Sequence, residues 1–201
     1  MSRQRPNPRA EMLRQAVAEE AARVMTEQGI DDFLFAKRKA AERLGVVDAA
    51  ILPRNTEIEA ALFARRRLFS GGRHDAAIAD LRRSALRAMQ FLADFEPRLV
   101  GPVLTGTASP HSDINLHLFS ESAESVSIKL DERGVPHEPH ERRLRFERDR
   151  IVSFPAFRFV AGNQTVDAVV FPLDGIRQAP SSPVDGKPMR RATAAEVAAL
   201  L

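Results

Sequence analysis

The 201-residue chain has no cysteine, no tryptophan and no tyrosine. Without cysteine there is no disulfide, no thiolate nucleophile and no sulfur ligand for a metal, a composition that suits a reducing compartment. No apolar run approaches the roughly 20 residues that span a bilayer. The N-terminal stretch MSRQRPNPRAEML carries charge but lacks the apolar centre of a secretory signal. A soluble, cytoplasmic protein with no membrane partner is the expectation. Also missing are a GxSxG elbow, a Walker loop, a dinucleotide fingerprint and a Ser/His/Asp order.

What is present is enough apolar material, 44% of residues, for one good core or two small ones. Net charge is +3, unevenly spread: residues 1–100 hold 18 Lys+Arg against 14 Asp+Glu, and residues 101–201 hold 12 against 13. The basic half presents two triplets, Lys37-Arg38-Lys39 and Arg65-Arg66-Arg67. These read either as solvated helix surface or as phosphate contacts for RNA or DNA. The aromatic interleaving of single-strand binders is not seen around them.

The first half reads as helices. Met12, Leu13, Ala16, Val17, Ala21, Val24 and Met25 recur at three and four residues, the stripe of an amphipathic helix that Gly29 ends. Asp31 and Asp32 can cap a second helix, FLFAKRKAAERLG, which stops at Gly45. Asn55-Thr56 opens a third, and Gly71-Gly72 breaks the chain. A long fourth helix places Ile78, Leu81, Ala85, Leu86, Met89, Leu92 and Phe95 on one stripe before Pro97. Residues 1–72 therefore form a helical region, and residues 73–201 a second domain.

That second domain reads as a mixed sheet. An apolar strand through Val100–Leu104 reaches a Gly106-Thr107 turn. Asp113-Ile-Asn-Leu-His-Leu-Phe then alternates strictly, so Asp113, Asn115 and His117 share one face while Ile114, Leu116 and Leu118 face a core. A helix capped by Ser120 or Ser122 follows and ends at Gly134. The segment from His137 is turn-rich and becomes extended only at Arg143–Phe146. Ile151–Val160 is a strand interrupted by Pro155, which suggests an edge or a bulge. Gly162-Asn163 makes a hairpin turn, and Thr165–Phe171 is a strand with Thr165, Asp167 and Val169 on one face. Residues Pro172–Pro188 form a loop, and Thr193-Ala-Ala-Glu196 is a capping box for a terminal helix.

The apolar strand, the Gly-Thr turn, the Ser112-Asp113-Ile114-Asn115 strand and a later strand with a central Asp167 resemble the polymerase-β-type nucleotidyltransferase superfamily, as a degenerate member. The resemblance spans about residues 75–171. It implies an α/β (α+β) nucleotidyltransferase-like mixed sheet preceded by a helical N-terminal region. It further implies that Gly106, Thr107 and Ser112 hold the donor's phosphates. Asp113, Asn115 and Asp167 would hold Mg2+ or Mn2+, with Asp113 and Asp167 catalytic. Asn115 stands where the family has its second carboxylate, and it can ligate through its amide oxygen without bringing charge.

Two functions follow. One is a metal-dependent nucleotidyltransferase that moves a nucleoside monophosphate from a nucleoside triphosphate to an acceptor hydroxyl on RNA, DNA, protein or a small molecule. The other is an inactive relative that binds nucleotide or nucleic acid. Hydroxyl activation and charge neutralisation by hard oxygen ligands are what such a transfer requires. The two aspartates also read as plain ion-pair partners of Arg158 or Arg145. His111 and His117 flank Asp113 as auxiliary ligands or as hydrogen-bonding residues, and His137 and His140 bracket Glu138 at a ligand-like spacing.

Overall fold

The computed structural model describes residues 8–30, 32–70, 73–109, 112–147 and 150–201, and excludes the side chains of residues 66–70 and 73. Expectations placed on Asp31, Gly71-Gly72 and His111 lie outside the described residues. The chain divides into two compact units, Met1–His74 and Asp75–Leu201. Among the described residues no helix is long and apolar enough to cross a membrane.

The first unit holds α1 (Pro8–Gln28), α2 (Phe33–Arg43) and α3 (Asn55–Ser70). The stripe read on α1 is its buried side: Val17, Ala21, Val24 and Met25 pack with Ala36, Ala40, Ile58 and Leu62. Met12, assigned to that stripe, is exposed. Asp32 caps α2 by accepting from the amides of Leu34 and Phe35 at 2.8 and 3.1 Å. In the basic triplets, Lys39 donates to Gln28 at 2.8 Å and Arg65 approaches Glu27 at 3.7 Å. Both cations therefore have partners within the unit.

The second unit is a mixed α/β layer. Its five-stranded sheet has the order β1-β2-β5-β4-β3, from β1 (Arg98–Val100), β2 (Ile114–Phe119), β3 (His137–Arg145), β4 (Ile151–Ala161) and β5 (Gln164–Phe171). Strand β2 runs parallel to β5, and the other pairings are antiparallel. One face is buried against helices. Ile114, Leu116, Leu118, Val166, Ala168 and Val170 pack there with Ile78, Leu81, Ala85 and Met89 of α4 (Arg73–Phe91), Val126 and Leu130 of α6 (Ala123–Glu132), and Val197 of α7 (Ala194–Ala198). Ser122 is the residue that caps α6, and the Thr193–Glu196 capping box opens α7.

Three local readings change. The expected strand through Val100–Leu104 stops at Val100 and continues as a short helix, α5 (Gly101–Thr105). Gly101 at φ +72° turns the chain out of the strand, and Pro102, locked near helical φ without an amide hydrogen, starts the helix. The segment from His137 is a nine-residue strand rather than a turn. It is an edge strand, where Pro139 costs no ladder bond and flanking charges keep other strands away. Strand β4 is continuous through Pro155 and pairs with β3 from Ile151 to Phe159, but pairs with β5 only from Ala156 onward. Pro155 thus sits where one side of the strand is locally an edge.

Candidate functional site

The other face of the sheet carries the candidate residues, because strand pairing sets them in rows. Asn115 pairs with Asp167, Asp167 with Arg158, and Arg158 with Glu138. The next row holds His117, Val169, Ala156 and His140. Odd positions of β2 and β5 therefore share a face with even positions of β4 and β3. Asp113, one step before β2, joins that face.

One end of this face is closed. Phe119, Phe146, Ala156, Val169 and Phe171 form a second apolar cluster, packed with Phe154 and Ile176. Arg191 lies over the rings of Phe119 and Phe171 at 5.0 and 4.9 Å. Its Nε donates to His117 Nδ1 at 3.0 Å, and its Nη1 donates to the carbonyls of Gly175 and Ile176 at 2.8 and 3.3 Å. His117, only 2% exposed, is held neutral. Burial first, then the charges of Arg191 and Arg142, push its pKa down to about 3. Burial and the neighbouring Arg98 push Arg191 down to about 10. His117 is therefore a buried acceptor for an arginine, not an auxiliary ligand beside Asp113.

The open end holds the charged groups. Asp167 is almost fully buried, with 3% of its side chain exposed, and an imidazole and a guanidinium close on it. His140 Nε2 lies 3.0 Å from Oδ1, and Arg142 Nε lies 3.3 Å from Oδ2. The His140 contact is short, but neither Nε2 nor Oδ1 completes a hydrogen bond. Both side chains come from β3, two strands away. On the intervening β4 the position in register with His140 is Ala156, 1% exposed, whose side chain is only a methyl group.

Asp113 is more open, with Arg158 Nη2 3.9 Å from its Oδ2. Burial raises the Asp113 pKa and so does the charge of Asp167, while Arg158 and Arg142 pull it down. Asp113 thus lies near enough to Asp167 for the two like charges to oppose one another. Asn115 Nδ2 donates to the carbonyl of Asp113 at 3.3 Å. Of the ion-pair partners foreseen for the aspartates, Arg158 is found on Asp113; Asp167 is faced by His140 and Arg142 rather than by Arg145.

Gly106, Thr107 and Ser112 stand apart in their bonding. The amides of Gly106, Thr107 and Ala108 all point back to the carbonyl of Pro102. Arg82 donates to Val103 and Leu104 carbonyls at the same helix end, at 3.2 and 3.1 Å. The Thr107 hydroxyl shares a 2.8 Å hydrogen bond with Thr105. Ser112 is buried, its Oγ accepting from the Ser109 amide at 2.8 Å. In this conformation the amides of the turn close a helix and do not line a cradle. The glycine that borders the candidate face is Gly101, where an added Cβ would lie 3.3 Å from Asn115 Nδ2.

A pair of divalent ions does not fit this donor set as it stands. Among the described residues no three His, Cys, Asp or Glu side chains converge as a metal site. A magnesium ion binds within about 2.1 Å of its oxygens, and at Asp167 it would meet an imidazole and a guanidinium already in that position. His137, the other half of the histidine pair, is on the opposite face of the sheet. Its Nε2 hydrogen-bonds Ser127 Oγ at 2.7 Å and its ring meets Phe157 edge-on.

Sequence reasoning singled out His140 only as half of a ligand-like pair with His137 on a turn, not as a neighbour of Asp167, and it missed Arg142, Ala156 and Arg191 as site builders. Strand alternation would have found His140 and Arg142 had residues 137–142 been read as extended. Arg191 carries no local signal, since it lies in a stretch without periodicity. No family model matches the chain, and no curated protein matches it.

Proposed function

We propose that this chain is a nucleotidyltransferase-like module that binds a nucleoside triphosphate at the open end of the sheet face without transferring its nucleotidyl group. The supporting observation is the state of the three positions that share the face on adjacent β2 and β5. Asp113 is half-open, Asn115 is neutral, and Asp167 is buried between His140 and Arg142. Nucleotidyl transfer by the two-metal route needs carboxylate oxygens free to converge on hard cations. Binding alone needs only a polar, charge-balanced surface beside a rigid sheet.

The second reading is the magnesium- or manganese-dependent transferase, and the pairing of Asn115 with Asp167 across parallel strands is what favours it. It places both aspartates on a common face.

Melting temperature measured with each nucleoside triphosphate, with and without Mg2+ or Mn2+, separates the readings. The module raises its melting temperature with nucleotide and releases no pyrophosphate with any acceptor pool. Pyrophosphate release that is lost in Asp113→Ala would move the assignment to the transferase. A chain that no nucleotide stabilises is neither.

A further inference from the structure

We propose that the open face takes the polyphosphate of its ligand without a divalent ion, on a clamp formed by Arg142 and Arg158, with Asp167 and Asp113 as the positioning residues that aim the two guanidiniums. The inference rests on the nucleotide-binding reading above and names the side chains that read the ligand and the charge state of its phosphates.

The geometry of each arginine carries the argument. Arg142 meets Asp167 through Nε, at 3.3 Å. A guanidinium has five donors in a planar fork, so an arginine held at Nε still presents its two terminal nitrogens, the edge that matches phosphate bidentately. The exposures agree, with 47% of the Arg142 side chain open against 3% for Asp167. Arg158 meets Asp113 more loosely, at 3.9 Å, and is 48% exposed. Each arginine is therefore anchored at a carboxylate while about half of its side chain stays open to solvent. Pairing in register places Arg158 beside Asp167, and it reaches past β5 toward Asp113. The two arginines thus approach one carboxylate pair from the β4 and β3 side.

Asp167 supplies an independent observation. It is a buried carboxylate whose Oδ1, like the facing His140 Nε2, completes no hydrogen bond. Burying a carboxylate is tolerable only with charge beside it, and here that charge comes from side chains of the chain itself. The place a metal would take is thus filled by imidazole and guanidinium. About half of the Arg142 side chain stays open to solvent, and a guanidinium suits the anionic oxygens of a polyphosphate.

Isothermal titration calorimetry on the full chain tests this, with ATP and inorganic tripolyphosphate as probes, each in EDTA and in Mg2+. Both probes are expected to bind in EDTA, and Mg2+ is expected not to strengthen ATP binding. Arg142→Ala and Arg158→Ala should each weaken binding by about tenfold or more, with partial recovery in Arg142→Lys, which keeps charge but loses the fork. Arg143→Ala, on the opposite face by strand alternation, should bind as the parent does. Arg142→Ala leaves Asp167 with one cation fewer and can lower stability, so Arg158→Ala, at the more open carboxylate, is the second variant. Far-UV circular dichroism verifies that each variant is folded. ATP binding that requires Mg2+ and survives both arginine substitutions would overturn the clamp and leave the nucleotide reading standing. ATP binding in EDTA with no binding of tripolyphosphate would also overturn it. Failure of both probes in both conditions would overturn the clamp and the nucleotide reading together.

Discussion

His117 makes stability depend on pH in a way that can be isolated. In the folded chain it stays neutral until about pH 3, whereas the exposed imidazole of the unfolded chain takes its proton near 6.5. The unfolded state therefore binds more protons at every pH between these values, and acidification favours unfolding. The stabilisation is fully present above about pH 6.5 and is lost as pH falls toward 3. Between pH 7.5 and 5.0 the unfolded imidazole gains nearly a full proton, and at about 1.36 kcal/mol per pKa unit the loss comes to about 2 kcal/mol. The comparison variant is His117→Gln, whose side-chain oxygen can still accept from Arg191 Nε but does not titrate. Urea denaturation at both pH values is best followed by far-UV circular dichroism, because the chain has neither tryptophan nor tyrosine. The parent should lose about 2 kcal/mol more than the variant over this interval. Every other ionisable group is common to both proteins, so its contribution cancels in the difference. Equal losses in parent and variant would refute the claim that His117 is buried as a neutral acceptor.

Two further substitutions probe the face. Ala156→Leu puts a larger side chain at the buried β4 position in register with His140; overpacking of this kind costs about 1–3 kcal/mol, read by urea denaturation, and ATP binding should fall with it. Unchanged ATP affinity would mean that position 156 has no part in the site. Gly101→Ala imposes a side chain at φ +72° with Cβ 3.3 Å from Asn115 Nδ2, where left-handed backbone alone costs about 1–2 kcal/mol. Gly134→Ala, at φ +64° with nothing within 4 Å, carries the backbone cost only. The larger drop in melting temperature should therefore belong to Gly101→Ala.

Much of the fold was legible because it depends on local chemistry. The spacing of Val17, Ala21 and Val24 specifies a buried helix side whatever packs on it. Glycines at 29, 45 and 134 end helices through a backbone conformation that other residues resist. The alternation of Ile114, Leu116 and Leu118 with polar neighbours specifies a strand with one core face. Where reading failed, two local signals competed. At Val100–Leu104 apolar character suggested a strand, and the Gly101-Pro102 pair overrode it. At His137–Arg142 charge and Pro139 suggested a turn, although an edge strand tolerates both.

The site was legible only in part. That Asp113 and Asn115 share a face follows from a period of two, and Asp167 belongs to a strand of the same kind. Which strand lies beside which is a matter of tertiary pairing, and no periodicity encodes it. The parallel docking of β5 on β2 sets Asn115 opposite Asp167, and the antiparallel addition of β4 and β3 brings His140 and Arg142 to Asp167. Those partners lie more than 20 residues from Asp167 in sequence and meet it only after the sheet has formed. The composition, the helices and the alternating strands were therefore determined by the sequence alone. Which charges neutralise Asp167, and that His117 is buried under Arg191, were decided by the tertiary structure, because burial and Coulomb attraction depend on distance in space rather than along the chain.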